Sequence, residues 1–156
     1  MSGTYVKFSL DDKTLRKQLR EDLARLENPT PFLRSVGEEM LPRINDRFRN
    51  EKGPDGEKWQ ALSPHTIRGR LKRNGNSPLT ILRIRGHLAG SINYQARGST
   101  LRIGTDSSVK DYAGIHQFGG KAGRGLKVFI PARPYMGFGE EDMDIIEEEL
   151  QPFLPR

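Results

Sequence analysis

The chain of 156 residues contains no cysteine. Disulfide staples and thiolate metal sites are therefore excluded, and the composition suits a reducing cytoplasm. Nor does any apolar run approach the roughly 20 residues needed to cross a bilayer, and no apolar segment follows the first charges at the N-terminus. A soluble, unexported protein without membrane contact is expected. Apolar residues are scarce, at 34% hydrophobic against 29% charged, which is low for a self-contained globule. A chain of this length buries about two thirds of its unfolded surface as one domain. A single domain over residues 1–156 follows, with some apolar surface completed by neighbouring copies in a homo-oligomer.

Catalytic signatures are also thin. His65, His87 and His116 stand far apart in sequence, with no His-Glu-x-x-His arrangement, and Asp111 is not at helical spacing from His116. No Gly-x-Ser-x-Gly elbow is present. The run Gly119-Gly120-Lys121-Ala122-Gly123-Arg124-Gly125 superficially suggests a phosphate cradle. It lacks the Gly-Lys-Ser/Thr ending and leads into a strand, so no helix N-terminus receives a phosphate. We read it as a flexible hairpin arm whose Lys121 and Arg124 are available to a partner or to DNA. No metal, cofactor or catalytic residue is assigned, and an enzyme using His116 is the weakest of the functional readings.

What is present is an alternation of helical and strand patterns. Thr4–Leu10 alternates with period two and predicts a strand that joins the later sheet. From Asp11 or Asp12 the period becomes helical, with Leu15, Leu19, Leu23 and Leu26 on one face, ending at Asn28-Pro29. Thr30 as N-cap and Pro31 at the first helical position open a second helix. Its stripe is Phe32, Val36, Met40, Ile44 and Phe48, and Pro42 predicts a kink near Met40 or two shorter helices. Ser63-Pro64 repeats the start grammar for a helix to about Lys72. A helical turn over 86–92 precedes a hairpin in which Ile92–Ala96 and Thr100–Gly104 flank Gly98-Ser99. Leu126–Ile130 supplies another strand, and Met143, Ile145, Ile146 and Leu150 line a C-terminal amphipathic helix with an acidic outer face. Flexible loops are expected near 50–57, 73–79 and 119–126. The sum is α+β: a small antiparallel sheet packed against N-terminal helices and a C-terminal amphipathic helix.

Charge is segregated along the chain. No acidic residue lies between Glu57 and Asp106, where Arg68, Arg70, Lys72, Arg73, Arg83 and Arg85 cluster, whereas Glu140 to Glu149 contains seven acids and no base. Such a split permits head-to-tail attraction between copies, a basic surface facing DNA, or simply solvated faces. Arg68, Arg70, Lys72 and Arg73 are the candidate partner or DNA contacts of the central block. Few aromatics interleave with these charges, since Trp59 precedes them and Tyr94 follows, so no stacking platform for single strands is evident.

Four short blocks carry the most specific information. They are Gly56-Glu57-Lys58-Trp59-Gln60-Ala61-Leu62-Ser63, then Ile84-Arg85-Gly86-His87-Leu88-Ala89-Gly90-Ser91-Ile92, then Tyr112-Ala113-Gly114-Ile115-His116-Gln117-Phe118-Gly119, then Ile130-Pro131-Ala132-Arg133-Pro134. The prolines bias Ile130 and Arg133 toward extended geometry, so the Arg133 guanidinium is presented from a stiff segment. It serves equally as a structural salt-bridge partner or an inter-subunit contact. His116 is expected to donate from one ring nitrogen to a backbone carbonyl, while Gln117 ties the adjoining turn and Tyr112, Ile115 and Phe118 pack as anchors.

In order and in wording these blocks resemble the phage virion morphogenesis and tail completion family of Mu-like and P2-like contractile-tailed bacteriophages. Arg85 stands where that family usually has Thr. The resemblance implies a non-enzymatic assembly protein acting in tail completion or head–tail joining through protein–protein interfaces. It implies other tail or neck proteins as partners, a homo-oligomer that a ring would close, and a place in the host cytoplasm during assembly with retention in the virion at the tail end or neck. The structural motif residues it marks are Trp59, Gly86, Leu88, Ser91 and Ile92, then Tyr112, His116, Gln117, Phe118 and Gly119, then Pro131, Arg133 and Pro134. The alternative is a sequence-independent nucleic-acid-binding module that uses the central basic segment in weak contacts with DNA.

Overall fold

A computed structural model of the chain describes residues 13–74 and 79–155. The strand expected over Thr4–Leu10, and the centre of the loop near 73–79, lie outside the described residues. Helix α1 spans Lys13–Ala24 and α2 spans Thr30–Asn50. At 21 residues α2 is about 30 Å long and forms the spine of the molecule. All five residues of its expected stripe, Phe32, Val36, Met40, Ile44 and Phe48, are buried. Leu19, Leu23 and Leu26 pack against this core from the α1 side.

Two expectations for α2 need correction. The chain turns helical one residue early: Pro29 holds the cap position and Asn28 Oδ1 accepts from the Thr30 N–H at 3.2 Å. The Thr30 hydroxyl instead donates to the Gly98 carbonyl at 2.9 Å, tying the helix start to a hairpin turn. The second concerns Pro42, which does not divide the helix. It lies on the exposed face, where the Glu38 carbonyl that its missing N–H leaves free belongs to a residue open to solvent, while Met40 and Ile44 stay buried on the other side.

Beyond α2, Ser63 opens α3 (Pro64–Asn74), its hydroxyl accepting from the Thr66 N–H at 3.2 Å as an N-cap does. The short α4 (His87–Gly90) leads into strands β1 (Ile92–Arg97) and β2 (Thr100–Thr105). These pair antiparallel from Ile92↔Thr105 to Arg97↔Thr100, which leaves Gly98-Ser99 as a two-residue turn. The hairpin lies on α2. Gly37 makes that approach feasible, because a Cβ there would sit 2.3 Å from Cδ2 of Tyr94. The remaining elements are α5 (Lys110–Phe118), β3 (Gly120–Ala122), β4 (Val128–Ile130) and α6 (Glu140–Leu150).

The architecture is α+β, with the strands among the described residues divided between two antiparallel pairs, β1–β2 and β3–β4, instead of one small sheet. Met143, Ile146 and Leu150 bury α6 against α2. The acidic helix is not simply solvated. Asp142 is 1% exposed, between Arg43 Nε and Arg47 Nη2, each at 2.5 Å, and accepts from the Gly139 N–H at 2.7 Å. Arg47 also donates to the carbonyls of Tyr135 and Gly137 at 3.0 and 2.9 Å. Glu149 accepts from the Ser35 hydroxyl. Part of the acid block is thus consumed within the fold, leaving Glu140, Asp144 and Glu148 exposed to solvent.

Candidate functional site

The segment read as a His-Gln-Phe-Gly turn is helical. Within α5, Ala113 and Gln117, four residues apart, form the buried stripe. That stripe grips the chain after the Pro131–Pro134 segment. Gln117 Oε1 accepts from the N–H groups of Tyr135 and Met136, each at 3.0 Å, and its Nε2 donates to the Met136 carbonyl at 3.0 Å. The Tyr135 hydroxyl donates to the Ala113 carbonyl at 2.9 Å, and burial pushes its pKa up. Gly119 closes α5 at φ 72°, and a Cβ there would meet the Ala132 nitrogen at 2.7 Å. Glycine is required on both counts.

Arg133 binds carbonyls, not a carboxylate. Its Nε donates to the Gln60 carbonyl at 2.9 Å and its Nη2 to the Ala61 carbonyl at 3.2 Å, while its N–H donates to the His116 carbonyl at 2.8 Å. Burial, and then the charge of Arg70, lowers its pKa. Trp59 completes the clamp. Its Nε1 donates to the Pro134 carbonyl at 2.8 Å and its ring meets Phe48 edge-on at 5.6 Å. Three of the four sequence blocks are thereby locked together. The fourth contributes Gly86, at φ 73°, before α4, with buried Leu88, half-buried Ile92 and a Ser91 hydroxyl that donates to the Leu88 carbonyl at 2.7 Å.

Between these blocks runs a groove of about 580 Å³. One wall is Gln60 to Ser63 with Arg70, a second is Leu82 with Ile84 to Leu88, and a third is Tyr112 and His116 with Val128 to Pro131 and Arg133. Its rim is apolar and uncovered: Ile84 is 50% exposed, Val128 54% and Phe129 70%. Tyr112 and Phe118 are exposed too, which corrects their expected role as packed anchors: the face of α5 that carries them points away from Tyr135 and Met136. His116 does not make the expected bond through its Nδ1, which is buried without a hydrogen-bond partner. Burial, and secondarily the Arg133 charge, holds its pKa below the ordinary value.

The basic candidates separate. Arg70 lines the groove and donates from Nη1 to the Thr80 carbonyl at 2.8 Å. Arg68, Lys72 and Arg73 are exposed on α3, Lys121 is exposed within β3 and Arg124 on the connection from β3 to β4, and none of the five lines the groove. Arg85, His87, Val128 and Phe129 are groove residues that the sequence reading did not single out as a site. The signal available was the apolar run Val128-Phe129-Ile130 ending at Pro131, too short a strand to bury both of its faces. Among the described residues no group of three His, Asp or Glu side chains is placed to hold a metal ion, and no helix is long and apolar enough to cross a membrane. One Ser-x-x-Lys spacing does occur, from Ser107 to Lys110, but both residues are exposed outside the groove.

An α+β scaffold whose specific sequence blocks all converge on an open, apolar-rimmed, cationic groove is suited to holding another macromolecule. The chain belongs to the phage virion morphogenesis family, whose family model matches residues 10–154. It is 31% identical over 142 residues to Mu-like prophage FluMu G protein 2 of Haemophilus influenzae, covering 88% of this chain and 90% of that protein. To FluMu G protein 1 of the same organism it is 27% identical over 145 residues, covering 92% and 90%. Tail completion protein S of Escherichia phage P2 is 30% identical over 133 residues, covering 79% of this chain and 85% of the phage protein. No solved structure matches the chain significantly. Family membership supports a role in bacteriophage assembly.

Proposed function

We propose that the protein is a non-enzymatic assembly factor that completes the phage tail or joins it to the head through protein–protein interfaces. The observation that carries this reading is the groove. Its walls are fixed by Gln117, Arg133 and Trp59 through backbone hydrogen bonds, while its apolar rim at Ile84, Val128 and Phe129 is left to solvent. A rigid frame around exposed apolar surface is what a preformed docking site requires. On this reading residues 1–156 act as one unit, in the host cytoplasm during assembly and afterwards at the tail end or neck. Copies associate head to tail, and such heterologous contacts give a ring when they close.

A phage lacking the protein should make heads, and tails of near-normal length, yet few infectious particles. Electron micrographs of the deletion lysate test this. Complete, joined particles in normal yield would sink the proposal. Weak, sequence-independent contact with DNA is a second reading, favoured by the exposure of Arg68, Lys72 and Arg73 along α3.

A further inference from the structure

The groove has a consistent electrostatic character. Every residue that lines it comes from one of two stretches without a carboxylate, Lys58 to Thr105 and Tyr112 to Gly139. Arg70, Arg85, Arg133, His87 and His116 contribute to its walls and no acid does. The neighbouring Glu51 is already engaged, its carboxylate accepting from the Ile81 N–H at 2.7 Å. An occupant must therefore bring negative charge to a surface whose remaining lining is largely apolar.

The backbone adds a direction. Side chains of a strand alternate between its two faces, yet Val128, Phe129 and Ile130 all line the groove, so it runs along the edge of β4. β4 pairs with β3 alone among the described residues, and its other edge meets no strand. An unpaired edge is a template for an added strand. Two leucines held at positive φ stand beside it: Leu82 at 58° in the opposite wall and Leu126 at 53° just before β4. For a branched residue this backbone is costly, and such outliers concentrate at ligand clamps.

We propose that the groove binds an extended acidic segment of a different protein, paired through its backbone with the edge of β4 and seating alternate apolar side chains against Phe129 and Ile84. This rests on the groove being an assembly interface. A second copy of this chain is a poor occupant, because its own acidic block is folded into helix α6 and offers no extended acidic strand.

The test uses the full chain and a fluorescein-labelled peptide in which Asp or Glu alternates with Val or Phe, read by fluorescence anisotropy. Binding should weaken about tenfold in Arg85→Glu, a rim charge, and similarly in Phe129→Ala. Methylating alternate peptide nitrogens should remove binding, and a Lys/Arg version of the peptide should not compete. The proposal is overturned if the basic peptide binds equally, if N-methylation or Arg85→Glu has no effect, or if a single-stranded oligonucleotide displaces the acidic peptide and binds more tightly. Phe129→Asp phage separates this from the broader reading. If the peptide fails while that variant still blocks tail completion, only the partner's chemistry is wrong, whereas full infectivity of that variant removes the interface itself.

Discussion

Gln117 engages Met136 through both ends of its amide: Oε1 accepts from the Met136 N–H and Nε2 donates to the Met136 carbonyl, each at 3.0 Å. The side chain thus imitates a neighbouring strand and holds the segment after Pro134 to α5. With Gln117 5% exposed, its partners have no water to turn to when it is lost.

Gln117→Ala should therefore cost about 1–3 kcal/mol, the penalty of orphaning buried backbone groups. Gln117→Glu keeps the acceptor for the Tyr135 and Met136 N–H groups, but ionised it sets a second oxygen against the Met136 carbonyl, and only the protonated acid restores a donor there, so its deficit relative to wild type should shrink as the pH is lowered. Urea unfolding of the three proteins decides it. An Ala variant as stable as the parent would remove the clamp from the account.

The Arg47–Asp142 pair makes a different prediction. Arg47→Met leaves the buried Asp142 with Arg43 as its one remaining cationic partner beside the Gly139 N–H, and should cost about 3–5 kcal/mol. Combining it with Asp142→Leu should recover much of that loss, since a packed apolar pair is often neutral relative to a buried ion pair. A double-mutant cycle by denaturant unfolding measures the coupling, and strictly additive losses would contradict it.

His116 fixes a sign for pH dependence. Its folded pKa lies below the ordinary value of 6.5, so the unfolded chain binds the proton more readily. Stability should fall as pH drops through about 6.5 and stop falling below the folded value. His116→Gln should flatten this part of the profile. Thermal midpoints of both proteins between about pH 7.5 and 5.5 are the measurement, and parallel slopes would rule the histidine out as the source.

Any binding to duplex DNA should be weak, indifferent to sequence and strongly salt-dependent, because Arg68, Lys72 and Arg73 offer phosphate contacts without a base-reading element. Titrations at two salt concentrations, with all three changed to Glu as the control, test this. Sequence-selective binding that persists at the higher salt would promote the nucleic-acid reading above the assembly one.

The spine of the fold was legible because local pattern and tertiary burial agree there. Phe32 to Phe48 step by four, Ser63-Pro64 opens α3, and Gly98-Ser99 turns the expected hairpin. Elsewhere long-range contacts overrode local chemistry. Glycine and aromatics in Tyr112–Phe118 suggested a turn, but Ala113 and Gln117 face Tyr135 and Met136, about twenty residues on, and that contact sustains a helix. Asp142 was hidden among like charges, although it stands four residues before Ile146 and eight before Leu150, on the buried stripe. The groove was invisible as a unit because Arg85 and Phe129 come from distant stretches that meet only in the fold. The four blocks were readable as marks of a family. Their meeting around one cavity was not.

Arg133 reaches back 73 residues to the Gln60 carbonyl, and Trp59 reaches forward 75 to that of Pro134. The Trp59 N–H bond to the Glu51 carbonyl and the ring contact with Phe48 are available early, but the side-chain bonds that join residues 59–61 to the Pro131–Pro134 segment need that segment to be made, and contacts of such separation form late. A chain truncated before Pro131 lacks part of the third wall and cannot display a finished groove. If the groove is the proposed docking site, competence for assembly is in this way tied to completion of synthesis.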